Sequence, residues 1–489
     1  MKLLNQKSVS GVLLGGNANN AQRPLLWQSG PARRGLKLQW AFVGLYLFTL
    51  LLYTRPNEWM PGLGSFPLVK IITVIAPLSY LAAKIARGEQ LTIWPIELKM
   101  LLVILALAIL FIPFAQSKED SLNTLFEPFI KLVIIFTLLI NVIDSRERLR
   151  SLLKLMVTCG TVISVGAIRS FLLGQFAKGR IEGMVGGMFQ NANDLATAIN
   201  ILLPITVALA LMSNGFFRLI YAVCAAFMAA AVIVTFSRAG YLGLGAMTIV
   251  MFWKLRRRHR ILPLATTLLL LITLFLTAPG GYGHRLSATM MESRDKTESA
   301  ENRVEVLIKG LKVALVHPII GVGMGNFYLY SRHDLKAHNS YLEIWAELGL
   351  LGLAAYLTLL IAPLRSLKQI ENDTYKTKEK ETLERFYLSL GLQAAIVSYV
   401  ICCAFSSIQY QWFAYYPVAF AIALRRIHAN PNHSLTDEFE TLFSEIKNKL
   451  WEERQPGVLW ARKALPNPLT NSNPGRLLRS KREVGLLNK

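Results

Sequence analysis

LLVILALAILFIPFA, Leu101 to Ala115, and ILPLATTLLLLITLFLTA, Ile261 to Ala278, contain no charged side chain. At about 1.5 Å of rise per residue, helices of this length reach, or nearly reach, across a hydrocarbon core of roughly 30 Å. A soluble fold has no use for so many uninterrupted apolar residues, and the rest of the chain agrees. Of 489 residues, 53% are hydrophobic and 17% charged, below the usual ~25% charged residues of soluble domains. Mean hydropathy is +0.39. Working outward, similar blocks recur near 38–53, 66–85, 98–115, 124–143, 151–173, 193–212, 219–236, 240–254, 261–278, 341–363, 387–405 and 411–424. The expected architecture is an all-α, polytopic helical membrane protein with about twelve transmembrane helices.

The net charge of +23 is not a nucleic-acid footprint, because it sits in short loops between apolar blocks, where it carries topology information. The first 37 residues hold Lys2, Lys7, Arg23, Arg33, Arg34 and Lys37. Every second loop is also basic: Lys84/Arg87, Arg146/Arg148/Arg150, Arg218, KLRRRHR (254–260), and 365–385. The alternation favours an even number of spans with both tails cytoplasmic. It divides the chain into a disordered cytoplasmic N-tail (1–37), a transmembrane domain (38–424) and a basic cytoplasmic C-tail (425–489). No cleavable signal peptide is visible. Cys159, Cys224, Cys402 and Cys403 fall inside apolar blocks without metal-binding spacing, and read as small apolar residues.

The opposite loops are then extracytoplasmic: TRPNEWMPGLGSFP (54–67), GQFAKGRIEGMVGGMFQNAN (174–193), FSRAG (236–240) and one long segment, 279–340. Within the long loop, Val304, Leu307, Ile308, Leu311 and Leu315 recur at helical spacing up to Pro318. This predicts an amphipathic helix lying on the membrane–water interface. HPIIGVGMGNF (317–327) spaces its glycines as G-x-G-x-G with no strand before it, which fits a tight turn and not a dinucleotide fingerprint. No internal repeat is evident, which weighs against a transporter or flippase, the competing class for such a chain.

Four features of this outer face invite chemistry. His338 stands two residues before an S-x-x-E capping box, Ser340 to Glu343, that opens an apolar run. A helix dipole there disfavours the imidazolium and welcomes an anion; the plain alternative is an interfacial histidine. Arg238 sits between apolar residues at the outer end of a span, where charge is costly unless it snorkels to headgroups. Arg303 opens the amphipathic helix, as a solvated charge or as a ligand for a lipid-linked anion. Asn191, Asn193 and Asp194 cluster where the sixth span begins. Asn193 is the natural N-cap, and the remaining amide and carboxylate would suit sugar hydroxyls. There is no D-x-D, P-loop, H-E-x-x-H or nucleophile elbow, so metal-independent chemistry on an already activated substrate is expected.

Taken together, FQNANDLA (189–196), TFSRAG (235–240), ENRVEVLIKGLKVALVHPIIGVGMGNF (301–327) and AHNSYLEIWAELGLLG (337–352) resemble the O-antigen ligase and O-antigen polymerase-like membrane glycosyltransferases. The most specific pieces are H-N-x-[YF]-L and the E-x-G-x-x-G that follows it. GLGSFP (62–67) is similar to the exosortase-associated O-glycosylation ligase branch. The resemblance implies an inverting glycosyltransferase, without cofactor or metal, in the bacterial inner membrane with its active site facing the periplasm. It implies an undecaprenyl-diphosphate-linked glycan as donor, and lipid A-core, protein or polysaccharide as acceptor, in a setting such as lipopolysaccharide or exopolysaccharide biosynthesis. It assigns Arg238 and Arg303 to the diphosphate and His338 to the acceptor hydroxyl. Arg285, Arg294 and Arg332 lie in the same loop and could replace Arg303, and Arg332 joins Asn191, Asn193 and Asp194 as a candidate for binding glycan or lipid. Ligase, polymerase and protein O-oligosaccharyltransferase remain open among themselves.

Overall fold

Helices that hide their backbone polar groups are what an apolar medium permits, and the chain supplies them in series. The computed structural model describes residues 31–55, 68–177, 180–181, 189, 191–256, 258, 297–331, 336–377 and 379–430; all lie within one compact unit, 1–435. The helices are α1 (Pro31–Thr54), α2 (Leu68–Arg87), α3 (Ile96–Leu110), α4 (Lys118–Val142), α5 (Arg146–Leu172), α6 (Ala192–Met212), α7 (Gly215–Val234), α8 (Arg238–Leu255), α9 (Thr297–Val316), α10 (Ser340–Thr374), α11 (Lys380–Cys403) and α12 (Tyr415–Ala429). Among the described residues the only strands are Phe176–Ala177 and Arg180–Ile181, a two-residue antiparallel pair.

Among the described residues, six helices are long and apolar enough to cross a membrane: α4, α5, α6, α7, α10 and α11. The others at expected spans are shorter or less apolar, and the expected ninth span, 261–278, lies outside the described residues, as do 1–30 and 431–489 of the tails. Several helices overrun their apolar block. α10 continues past Pro363 to Thr374, and α11 begins at Lys380. The extra turns are polar and are held by ion pairs. α3 falls short of its block because Pro113 turns the chain into a 3-10 turn, Ile112–Phe114.

α11 is the hub. It packs on α6, α8 and α10, and 83% of its apolar stretch is buried, against 28% for α7. α7 instead turns Phe216, Phe217, Leu219, Val223 and Phe227 outward, the surface expected of a helix bathed in lipid. α4 contains a π turn, Leu125–Phe129, around Pro128; the missing proline N–H loosens the ladder there.

The loops sort to two ends. At one end the basic loops find acids: Arg146 and Arg150 meet Glu384, Lys254 meets Glu371, and Arg425 lies 3.1 Å from the fully buried Glu97. At the other end the α3–α4 and α11–α12 connections meet the described residues of 317–340. Asn326 Oδ1 accepts the Ser117 N–H at 2.7 Å, and its amide donates to Ser121 Oγ. The second end carries every candidate site residue that the structure describes.

Candidate functional site

α10 is a helix in two pieces. At Gly349 the backbone turns to φ 70°, ψ −175°, and a Cβ there would stand 2.0 Å from the Ile319 carbonyl oxygen. Only glycine tolerates that pairing of conformation and contact. The carbonyls released by the break are not orphaned. Ala346 O accepts the Val322 N–H at 2.9 Å and Glu347 O accepts the Gly323 N–H at 3.0 Å, while the Leu350 N–H donates to Pro318 O at 2.8 Å. The G-x-G-x-G segment is therefore a strap laid along the break, with Gly321, Gly323 and Gly325 all at positive φ. The sequence predicts the turn but not its partner, the broken helix.

The start of α10 differs from the expected capping box. The N-cap is Asn339, whose Oδ1 accepts the N–H groups of Tyr341 and Leu342, both at 3.0 Å. Ser340 is engaged in tertiary contacts instead, where its Oγ donates to Ser406 O and accepts the Ile408 N–H. Glu343 does not reach back to Ser340. It accepts the Ala337 N–H (2.8 Å), the Ser407 hydroxyl (2.6 Å) and the Gln409 amide (2.5 Å). Ser407 Oγ in turn accepts the His338 N–H at 3.0 Å. These bonds hold His338 in a left-handed turn, φ 52°, half-buried at the mouth of α10.

α6 has a similar correction. Its N-cap is Asn191, exposed and accepting the Asn193 N–H, and not Asn193. Asn193 Oδ1 instead accepts from Ser237 Oγ at 2.8 Å, and Ser237 caps α8. The N-termini of α6 and α8 are thereby tied together. Arg238 is the first residue of α8, with its side chain exposed. Asp194 lies within electrostatic reach of Lys336, two residues before His338. Cys402, at the end of α11, approaches Ala239 O, and the loop after α11 holds Ser340. Three helix N-termini, those of α6, α8 and α10, thus gather around the C-terminus of α11. Each is capped by a side chain and brings a positive dipole end, a setting that suits an anion.

α9 packs on the first half of α10 through Val306 and Ala314, with Phe327, Ala337 and Ala346 completing the cluster. The stripe read from the sequence is the opposite face: Val304, Leu307, Ile308, Leu311 and Leu315 are 36–63% exposed. Arg303 stands one turn before Val306 in the α9 backbone, within a helix whose partner is α10. Arg285, Arg294 and Arg332 lie outside the described residues.

The sequence reading misses a polar cluster beside His338. Glu347, one turn after Glu343 and equally buried, accepts the Tyr410 hydroxyl at 2.7 Å and the Phe327 N–H at 3.3 Å. Burial, and then the charge of Glu347, raise the Tyr410 phenol well above its ordinary range, so it remains a donor. A cavity of ≈ 230 Å³ opens here, lined by Lys336, Glu343, Glu347, Ser407, Gln409 and Tyr410 among others. Two signals were present in the chain: a pair of glutamates four residues apart inside an apolar block, and the polar run SSIQYQ (406–411) between two spans. Neither reveals that the two meet.

Helices of membrane-crossing length, a glycine-rich strap laid along a broken helix, and polar groups gathered at one end point to a multi-pass membrane protein with a candidate site at one end of its bundle. Residues 223–357 match the family model of the O-antigen ligases, which supports an O-antigen ligase-like family for this chain and a membrane enzyme of the ligase/polymerase type. The matched stretch includes Arg238, Arg303 and His338 and excludes Asn191, Asn193 and Asp194. No curated protein matches the chain.

Proposed function

We propose that the chain is a membrane glycan ligase that transfers an undecaprenyl-diphosphate-linked glycan to an acceptor hydroxyl on the periplasmic side. The observation that carries the reading is the family match over 223–357, joined to the gathering of the α6, α8 and α10 N-termini at the end that bears His338. In the proposed step, a ring nitrogen of His338 takes the proton of the acceptor hydroxyl. The oxygen forms a bond to the anomeric carbon as the bond from that carbon to the diphosphate oxygen breaks. Undecaprenyl diphosphate leaves with the electron pair, and its charge is met by Arg238 and Arg303. Arginines suit this role because their fork pairs two oxygens at once and never loses its charge. Helix N-termini add fixed dipoles aimed at the same charge. The displacement needs no metal, since charge on the leaving group is met by the arginines, and it inverts the anomeric carbon.

His338→Ala in a strain lacking the wild-type protein tests the reading. Lipid-linked donor, lipopolysaccharide and glycoproteins are analysed together. Transfer is expected to fall by the roughly 10²–10⁴-fold that a general base supplies, while donor accumulates and the protein persists at full length. The product that disappears names the acceptor, and separates ligation from polymerisation on the carrier. Transfer at the wild-type rate would remove the histidine from the mechanism.

A further inference from the structure

The basic end of the bundle holds more positive charge than its ion pairs use. Arg146 and Arg150 share Glu384, and Lys254 has Glu371. Arg218, Arg256 and Arg258 have only neutral partners among the described residues. Arg218 donates to Ser213 O at 2.9 Å and to Asn214 Oδ1 at 3.1 Å. Arg258 donates to Tyr375 O at 2.9 Å and to Thr377 O at 3.1 Å. Arg256 is exposed and stands over the Trp253 ring, 3.9 Å from its centroid. The three share one corner. Arg256 and Arg258 lie just past the end of α8, and Arg258 and Arg218 both come within electrostatic reach of Tyr387, near the start of α11.

The start of α7 makes the demand for an anion local. Arg218 is in its first turn, where the helix dipole is positive and no acidic residue stands. No side chain caps this helix; Asn214 Oδ1 accepts from Arg218 instead. A guanidinium and uncapped N–H groups in one turn both favour a negative group beside them. Beyond that turn the helix is bare. No residue from Gly215 to Phe227 is buried, and Phe216, Phe217 and Leu219 are 61–72% exposed. Successive helical residues are about 100° apart, so these three face three sides, and the protein leaves all three open.

Charge and bare apolar surface come in a fixed order. The arginines lie at the ends of α7 and α8. Leu219, Val223 and Phe227, all exposed, then follow along α7 toward the middle of the bundle. That is the order of a phospholipid, with its phosphate level with the helix ends and its acyl chains beyond. Trp253, exposed beside Arg256, is the kind of residue that membrane interfaces favour. Basic pockets between helix ends suit acidic head groups. Free phosphate would meet the arginines and leave the apolar faces uncovered. A zwitterionic head group brings its own ammonium and leaves the excess charge in place. A lipid with net negative charge answers both.

We propose that the corner formed by Arg218, Arg256 and Arg258 binds one anionic phospholipid, its phosphate among the three guanidinium groups and its acyl chains along the bare first half of α7. The site lies at the end of the bundle away from His338 and does not rest on the ligase reading. Native mass spectrometry of the full-length protein in detergent tests it, with dioleoyl-phosphatidylglycerol, dioleoyl-phosphatidylethanolamine and inorganic phosphate as probes. Wild type is expected to retain one phosphatidylglycerol in clear preference to phosphatidylethanolamine, and phosphate in large excess should not displace it. Arg218→Ala should weaken that binding roughly fivefold, the worth of one arginine near an anionic surface. Arg256→Ala, also an exposed substitution, should do the same and serves as the second variant should Arg218→Ala fail to fold. Arg258 is left in place, because its bonds hold the α10–α11 connection. Lys84→Ala removes a charge that is already paired with Glu89 and should leave the binding unchanged. Equal retention of the two lipids, displacement by phosphate, undiminished binding in either arginine variant, or a matching loss in Lys84→Ala overturns the proposal. So does a wild type that is dimeric and takes up no phosphatidylglycerol, which would give the bare half of α7 to a second copy of the chain.

Discussion

At the scale of the residue, the mouth of α10 shows how a correct motif leads to a wrong bond. Ser340 and Glu343 have capping-box spacing, yet the cap slides one residue back to Asn339. The cause is tertiary. Ser340 and Glu343 are both needed by the loop after α11, which brings Ser406, Ser407, Ile408 and Gln409 to them. No local pattern encodes a partner so distant in the chain. Asn339→Ala should therefore lower stability by about 1 kcal/mol, the usual worth of a cap. Ser340→Ala should cost more, in the range of ~1–3 kcal/mol, because it leaves the buried Ile408 N–H without its acceptor. Thermal unfolding of the two variants in detergent decides. Indifference to Asn339→Ala would mean that the capping box holds after all. The same reasoning explains what was legible at His338. Its place outside a helix N-terminus follows from spacing, but its left-handed turn does not, because the Ser407 and Glu343 bonds that hold it come from elsewhere in the chain.

At the scale of the element, apolar periodicity finds α9 and α10 but not how they meet. The stripe Val304, Leu307, Ile308, Leu311, Leu315 is visible because it is large and regular, and large apolar residues are what lipid would cover. The face that packs on α10 is inconspicuous in sequence. It is built around Gly310, whose missing side chain leaves room for the Phe327 ring; a Cβ there would stand 2.9 Å from it. If the exposed stripe rests on the bilayer surface, Ile308→Trp should be quenched by brominated lipid in reconstituted protein while leaving the unfolding temperature near that of wild type. An unquenched tryptophan would place this face in water. The break in α10 is likewise hidden, since a lone glycine inside an apolar run is compatible with an unbroken helix. Its E-x-G spacing stands out only through the family resemblance. Gly349→Ala must hold an L-residue at positive φ, a strain of ~1–3 kcal/mol, and must also push Ile319 off the break. It should lose the strap and with it most of the folded protein, read as a collapse of the monodisperse peak in size-exclusion chromatography. A well-folded Gly349→Ala would show that the break is not required.

At the scale of the whole molecule, charge carries more information than hydropathy. Hydropathy alone leaves short helices such as α3 and α12 ambiguous, and among the described residues six helices meet a strict criterion of length and apolarity. The alternation of basic loops orders them all the same, because each basic loop must reach one end of the bundle. There the structure shows why the end is basic in more than the topological sense. Arg146, Lys254 and Arg425 are paired with Glu384, Glu371 and Glu97, of which the last is fully buried. An unpaired carboxylate in that position would be costly, so the arginines and lysine close the bundle at this end. The other end has no such lattice among the described residues. It gathers the N-termini of α6, α8 and α10, and beside them a cavity lined by the two buried glutamates Glu343 and Glu347. This division predicts sidedness. In a Cys224→Ser background, whose remaining cysteines are buried, Gln175→Cys and Glu89→Cys place one exposed thiol at each end. A membrane-impermeant maleimide should label Gln175→Cys in spheroplasts and reach Glu89→Cys only after the inner membrane is opened. The reverse pattern would put the glutamates, His338 and Arg238 on the cytoplasmic side, where a periplasmic ligase could not use them, and the topology read from the arginines and lysines would have to be inverted along with the function built on it.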